Sequence, residues 1–196
     1  MDMDDDACYR AIETSVPPEC LRVDRFATAI GETFLVTDEA GYLRALDWAD
    51  RESRMRRLLW RHYGPLAHEP GAAPENTRRA LRDYFDGDVG RLRAIAWRTA
   101  GTPFQRTVWT ALATILPGQT LSYGALAARL GRRKSVRAVG LANGANPVSL
   151  VVPCHRVIGA DGSLTGYGGG LERKRWLLRH EGAAFRDDLL ANAFAA

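Results

Sequence analysis

The chain has 196 residues, of which 46% are hydrophobic and 26% are charged, and its formal net charge is +4. This composition is ordinary for a globular protein with one large domain or two small ones. No apolar run approaches the roughly 20 residues that a membrane-spanning helix needs, and the acidic residues 1–6 lack the basic and apolar regions of a signal peptide. We therefore expect a cytoplasmic protein without a membrane partner.

Residues 1–98 predict a small N-terminal α/β domain with an antiparallel sheet. Two strand-like runs, 34–37 and 42–48, are separated by a good turn sequence. The apolar spacing predicts helices at 51–63 and 76–85, and the proline positions predict a loop between them at 65–74. No catalytic constellation is evident in this half, so we expect it to support the rest of the chain.

The pattern becomes helical from about Gly101. Thr102 is expected to cap a helix that reaches Ile115, with a proline at its first position. Ser122 is expected to cap a second helix over 125–130, and Ser135 a third helix that follows a glycine turn. Residues 99–186 thus predict a mostly helical C-terminal domain, followed by a tail at 187–196. The complete prediction is an α+β fold.

The second and third of these helices are arranged as a helix-turn-helix. Its turn and its last helix carry four basic residues, namely Arg132, Arg133, Lys134 and Arg137. The first 100 residues hold 15 Arg and Lys against 18 Asp and Glu, whereas the rest hold 12 against 5. Basic surface in the second part favours a polyanion such as DNA. The alternative is an ordinary helix pair with a basic turn.

The last helix of this motif is unusual for a DNA-reading helix. Small residues dominate residues 138–146, and long polar side chains that read base edges in the major groove are nearly absent. Small residues allow a backbone to approach closely, which favours minor-groove or shape-based binding without sequence readout.

The three cysteines are Cys8, Cys20 and Cys154, and an odd number does not favour a disulfide framework. The first two, together with His62 and His68, could supply four zinc ligands. Their spacing matches no compact zinc-finger pattern, so we expect no metal.

The third cysteine is followed at once by His155, which is typical of a reactive thiol. An adjacent imidazole or cation favours the thiolate, the nucleophilic form of the side chain. An apolar run at 148–152 is predicted to be a strand that leads into the pair, and the glycine-rich residues 159–170 predict a pocket wall. The alternative is a half-buried structural cysteine.

Motifs from about Gly101 to Gly182 resemble the O6-alkylguanine-DNA alkyltransferase family. They are, in order, Ser122-Tyr123-Gly124, Ala138-Val139-Gly140, Asn146-Pro147-Val148, Pro153-Cys154-His155-Arg156-Val157, Tyr167-Gly168-Gly169-Gly170-Leu171, Trp176-Leu177-Leu178 and His180-Glu181-Gly182. The first half resembles the family only in its size and its hairpin-and-helices layout.

The resemblance implies direct-reversal DNA repair without a cofactor. O6-alkylguanine, mainly O6-methylguanine, would be flipped out of double-stranded DNA and its alkyl group moved irreversibly to the protein, with O4-methylthymine as a further candidate substrate. This is the activity of a methylated-DNA–protein-cysteine S-methyltransferase, with one turnover per molecule. It also implies a cytoplasmic, nucleoid-associated protein of bacterial type. A monomer is expected, and cooperative assembly on DNA is left open.

The resemblance also implies roles for five catalytic residues. Cys154 would accept the alkyl group, His155 would take the thiol proton through a water molecule, and Glu181 would orient the imidazole. Asn146 would act as a hinge that ties the turn before the cysteine to the helix-turn-helix. Tyr123 would donate a hydrogen bond or proton to the departing guanine.

Further positions would contact DNA or the extruded base. Arg137 would fill the space that the extruded nucleotide leaves, and the other DNA contacts would be Ser122, Arg132, Arg133, Lys134, Ala138 and Gly140. The base pocket would be framed by Arg156, Val157, Tyr167, Gly168 and Gly169. The chain departs from the family at Gly168, where some members carry a hydroxyl residue, and it lacks a clear counterpart of the zinc ligands of some members.

Two rival functions remain on the sequence alone. A lesion-sensing DNA-binding module without chemistry would lack the nucleophilic cysteine that this chain has. A cysteine hydrolase that uses Cys154 and His155 would leave Tyr123, Arg137 and the basic helices unexplained.

Overall fold

A four-stranded sheet forms the first part of the molecule in the computed structural model, which describes residues 20–187. The strands are β1 (Cys20–Thr28), β2 (Gly31–Thr37), β3 (Leu43–Trp48) and β4 (Ala67–Pro70). Their order is β3-β2-β1-β4; β2 pairs antiparallel with both neighbours, and β4 pairs parallel with β1. The predicted hairpin is therefore confirmed as β2 and β3.

Two strands of this sheet differ from the sequence prediction. The segment 65–74 was predicted as a loop, which is wrong at residues 67–70, because they form β4. All four residues of β4 are exposed, and the strand ends in proline, so this short edge strand has no apolar alternation to reveal it. Strand β1 was not predicted at all. The helices of this part, α1 (Glu52–Tyr63) and α2 (Glu75–Phe85), begin within one residue of their predicted positions.

Up to residue 187, where the described part of the chain ends, the second part contains four α-helices. They are α3 (Pro103–Ala113), α4 (Tyr123–Arg129), α5 (Val136–Gly144) and α6 (Leu171–His180). Thr102 caps α3 as predicted: its hydroxyl accepts from the Gln105 amide, and the Gln105 side chain accepts from the Thr102 amide. The Ser122 hydroxyl caps α4 by accepting from the amide of Ala125 at 3.0 Å. Helices α4 and α5 form the predicted helix-turn-helix.

The cap predicted at Ser135 is wrong. This residue precedes α5, but its side chain makes no capping hydrogen bond. A 3₁₀ turn over Arg133–Ser135 runs directly into the helix, so Ser135 lacks the extended backbone of a capping residue.

The strand predicted at residues 148–152 is also wrong. The segment is a series of buried turns, and Leu150 has a positive φ of 72°. Val148 makes only an isolated bridge to Leu46 of β3. An apolar run reports burial but does not distinguish a buried strand from a buried turn.

The largest cluster of buried hydrophobic residues joins the two parts. It includes Leu35 and Leu46 of the sheet, Leu126 and Val139 of the helix-turn-helix, and Leu177 of α6. The α+β fold is confirmed, whereas the division into domains at residues 98 and 186 stays a prediction. Cys8, the acidic start and nearly all of the predicted tail lie outside the described residues.

Two negative findings concern residues 20–187 alone. None of the helices in this range has the length and apolar character needed to cross a membrane. Nor does this range contain a group of three or more side chains that could together hold a metal ion.

Candidate active site

Cys154 lies at the start of a 3₁₀ turn, Cys154–Arg156, and is only 3% exposed. The turn continues into the short strand β6 (Val157–Ile158), which pairs parallel with β5 (Leu121–Ser122). Because β5 ends where α4 begins, this pairing holds the cysteine turn against the start of the helix-turn-helix.

Glu181, at the end of α6, joins the side chains around this turn. Its carboxylate lies 3.0 Å from His155 Nε2 and accepts two hydrogen bonds from Arg156, each 2.8 Å long. It also accepts from the Tyr84 hydroxyl at 2.9 Å. Arg156 completes its own contacts by donating to the carbonyl of Ile115. The predicted pairing of His155 with Glu181 is present, and Arg156 braces the carboxylate.

The electrostatics of this cluster determine the protonation state of His155. Burial alone would raise the pKa of Glu181, but His155 and Arg156 hold it well below the usual value, so the group is a carboxylate at neutral pH. Burial lowers the pKa of His155, and the nearby Glu181 only partly opposes this effect, so the imidazole is neutral. A carboxylate can only accept, so Nε2 carries the proton and Nδ1 presents a lone pair. Nδ1 is buried and has no hydrogen-bond partner among residues 20–187.

The groups around Cys154 shift the pKa of its thiol in opposite directions. Burial raises its pKa, whereas the Asn146 side chain and the cations of Arg54 and Lys174 lower it. The carboxylate of Asp47 acts in the same direction as burial. The net pKa is raised, so the resting thiol is protonated and needs a base before it can attack as a thiolate.

Lys174 and Arg54 were not identified from the sequence. Lys174 is fully buried, and its ammonium donates to the carbonyls of Val157 and Thr165 at 2.6 and 2.9 Å. Burial lowers its pKa to about 8. It sits in the charged run 172–175, where nothing in the sequence marks one basic residue as buried. Arg54 lies on α1, in the half that was expected only to support the site.

Asn146 organises the turns between α5 and the cysteine. The residue is fully buried, and its amide nitrogen donates to the carbonyl of Val152 at 2.8 Å. Its side-chain oxygen accepts from the amide of Val148 at 3.0 Å. One side chain thus closes both ends of this turn segment, whereas the predicted role of Asn146 as a hinge to the helix-turn-helix stays a prediction.

The glycine-rich loop packs against the first half of the chain. A Cβ on Gly169 would lie 2.2 Å from Trp48 Nε1, and a Cβ on Gly168 would lie 2.7 Å from the guanidinium carbon of Arg54. Burial raises the pKa of Tyr167 well above its usual value, so its hydroxyl remains a donor. The Tyr167 hydroxyl and Trp48 Nε1 are both buried and lie close enough to interact with each other, although neither has a well-aligned hydrogen bond in the described part of the chain.

The predicted DNA-contact residues lie mostly on the exposed side of the helix-turn-helix. Arg132, Arg133, Lys134, Arg137 and Ala138 are exposed. Tyr123 is half-buried, and an added Cβ on Gly140 would be 3.6 Å from its ring, so these two residues lie between α4 and α5. Ser122 already uses its hydroxyl as a helix cap.

Comparison with known proteins gives consistent matches. The family model of the 6-O-methylguanine DNA methyltransferase DNA-binding domain matches residues 103–183. A methylated-DNA–protein-cysteine methyltransferase of Salmonella typhimurium is 51% identical over 161 residues, covering 81% of this chain and 94% of the relative. One from Mycobacterium tuberculosis is 40% identical over 181 residues, covering 92% and 96%.

Solved structures agree with the sequence matches. The crystal structure of Mycobacterium tuberculosis OGT in complex with DNA has a TM-score of 0.68 and 39% identity, covering 86% of this chain and 97% of that chain. The O6-methylguanine-DNA methyltransferase of Pyrococcus kodakaraensis has a TM-score of 0.58 and 28% identity, covering 83% and 99%.

Proposed function

This chain belongs to the methylated-DNA–protein-cysteine methyltransferase family and repairs DNA by taking an alkyl group onto a cysteine, and we propose that this cysteine is Cys154. The observation that supports this assignment best is the buried His155–Glu181 pair, whose imidazole belongs to the residue that follows Cys154 in the 3₁₀ turn. The imidazole is neutral and its Nδ1 has no hydrogen-bond partner among the described residues, and the cysteine is protonated. Cys20, the other cysteine among the described residues, lies at the start of β1, between β2 and β4 in the sheet, and it makes no hydrogen bond to the His155–Glu181 pair.

The proposed reaction is a single displacement. His155 takes the thiol proton through a water molecule, and Glu181 stabilises the imidazolium that forms. The thiolate forms a bond to the alkyl carbon while the carbon–oxygen bond to guanine breaks, so the electron pair leaves with the base. Tyr123 donates a hydrogen bond or proton to the departing guanine. The product is unmodified guanine in DNA and an S-alkylated protein.

We propose O6-alkylguanine in double-stranded DNA, mainly O6-methylguanine, as the substrate. Cys154 is buried in its turn, so an in-line approach to a carbon on O6 requires the nucleotide to leave the base stack. Extrusion costs a few kcal/mol, and a poorly paired lesion lowers that cost. Oligonucleotides that differ only in the lesion test this substrate class: O6-methylguanine should disappear, whereas methyl groups elsewhere on guanine should persist. Equal loss of both would contradict it.

The product thioether is stable and a poor electrophile, so we propose one turnover per molecule. We also propose that the protein is a monomer and that it acts at the nucleoid. Sedimentation of the free protein should give the mass of one chain. A stable dimer would contradict the monomer.

Arg137→Ala should slow transfer from duplex DNA about tenfold, because we propose that this exposed side chain fills the gap left by the extruded nucleotide. A single-stranded oligonucleotide with the same lesion has no such gap, so the loss there should be much smaller. Single-turnover rates on the two substrates measure the difference. Arg93→Ala, which removes an exposed arginine from the first half, is the matched control. An equal loss on both substrates would contradict the role.

A further inference from the structure

Arg54 connects the first half of the chain to both sides of the candidate site. Its guanidinium pairs with the fully buried carboxylate of Asp47, and its own side chain is 16% exposed. The Nη2 atom also donates to the carbonyls of Gly144 and Asn146, at 2.8 and 3.0 Å. Gly144 is the last residue of α5, and Asn146 closes the turns that lead to Cys154.

Gly168 provides the space that this guanidinium occupies. A Cβ on Gly168 would lie 2.7 Å from Arg54 Cζ and 2.8 Å from both Nε and Nη2. An arginine side chain usually moves aside at little cost, but this one is held by a carboxylate and two carbonyls. Any side chain at position 168, including the hydroxyl residue of some family members, would therefore displace Arg54 from these acceptors.

We propose that Arg54 is a positioning residue for alkyl transfer and that Gly168, which has no side chain, leaves the space that the guanidinium of Arg54 needs. In this arrangement Arg54 holds three elements in fixed relation around Cys154: the end of the DNA-binding helix, the Asn146 turn and the glycine-rich loop. The inference rests on the proposed function, because it assigns Arg54 an effect on the rate of that reaction.

The chemistry of the contacts explains why arginine suits this position. The carbonyls at a helix C-terminus lack partners within the helix and carry partial negative charge, which a cation stabilises. The planar guanidinium has five N–H donors in fixed directions, so it can donate to the Asp47 carboxylate and to two carbonyls at the same time. A lysine keeps the charge but not this geometry.

The first test compares variants of Arg54 by their transfer rates. Arg54→Lys retains the cation, and Asp47→Asn/Arg54→Ala removes the pair together, so that no buried carboxylate is left unpaired. We expect losses of about tenfold and about 100-fold in the first-order rate at saturating duplex DNA, the size of effect that a small misplacement of reacting groups produces. The half-saturating DNA concentration of Arg54→Lys should not change.

A matched control and an internal count keep this test independent of folding. Arg57→Ala removes an exposed arginine from the same helix and should react at the wild-type rate. Because each molecule reacts once, the final amount of alkyl transferred counts the folded molecules, and the rate constant is read from that fraction alone. Wild-type rates in both Arg54 variants would overturn the proposal.

The second test is a double-mutant cycle with Gly168→Ala. In the wild-type background this change should slow transfer by about tenfold or more, because the new Cβ displaces Arg54. In the Asp47→Asn/Arg54→Ala background the guanidinium is gone, so the same change should have no further effect. An equal loss of transfer rate in both backgrounds would overturn the proposal that Gly168 leaves space for Arg54. A wild-type protein that transfers no alkyl group would contradict the proposed function itself.

Discussion

Glu181→Ala is expected to lower the free energy of unfolding by about 3–5 kcal/mol, because it leaves the buried guanidinium of Arg156 without its carboxylate. Tyr84 and His155 lose the same acceptor. Transfer should also become too slow to measure, since nothing would orient the imidazole. Urea denaturation and single-turnover transfer measure the two effects.

The matched control for this change is Glu172→Ala on the same helix. Glu172 is 85% exposed and pairs with Arg175, so its loss should cost less than about 1 kcal/mol, as for other surface ion pairs. Glu181→Gln separates shape from charge, because it keeps the size and one acceptor but leaves Arg156 without a counter-charge. An unfolding free energy for Glu181→Ala within error of the Glu172→Ala value would contradict the central position of Glu181.

His155→Gln is expected to slow transfer by about 10²–10⁴-fold, the range associated with loss of a general base. Glutamine can still donate to Glu181, but it offers no nitrogen lone pair to accept the thiol proton. The fold and the DNA affinity should therefore change little. Single-turnover rates at saturating DNA, together with the dissociation constant for unmodified duplex, measure the two properties.

The exposed His68 supplies the comparison, because His68→Gln removes an imidazole from β4. That variant should react at the wild-type rate. If His155→Gln also reacted at that rate, the thiol proton would have to leave by another route, and the proposed role of the imidazole would be wrong.

The sequence predicted some contacts of the candidate site because motifs specify local chemistry. The resemblance implies that Glu181 orients the His155 imidazole and that Asn146 fixes the turn before Cys154, and the structure contains the corresponding hydrogen bonds. The catalytic and DNA-contact roles stay predictions. Thr102 and Ser122 were identified as caps because a cap depends on residues only three positions away.

What the sequence did not predict depends on contacts distant along the chain. Arg54 lies 90 residues or more from Gly144 and Asn146, so no local pattern could pair them. The buried turns at 148–152 were predicted as a strand because apolar character reports burial and not backbone path. The Asn146 side chain donates to the carbonyl of Val152 and accepts from the amide of Val148, and periodicity does not detect these bonds across the turns.

The most direct measurement is the mass of the peptide that contains Cys154 after the protein has reacted with excess duplex DNA carrying O6-methylguanine. The account predicts one added methyl group per chain, located on this sulfur, with no further lesion loss once every molecule carries it, and no transfer by Cys154→Ser. A methyl group on another residue, or continued repair after each chain had been modified once, would contradict it.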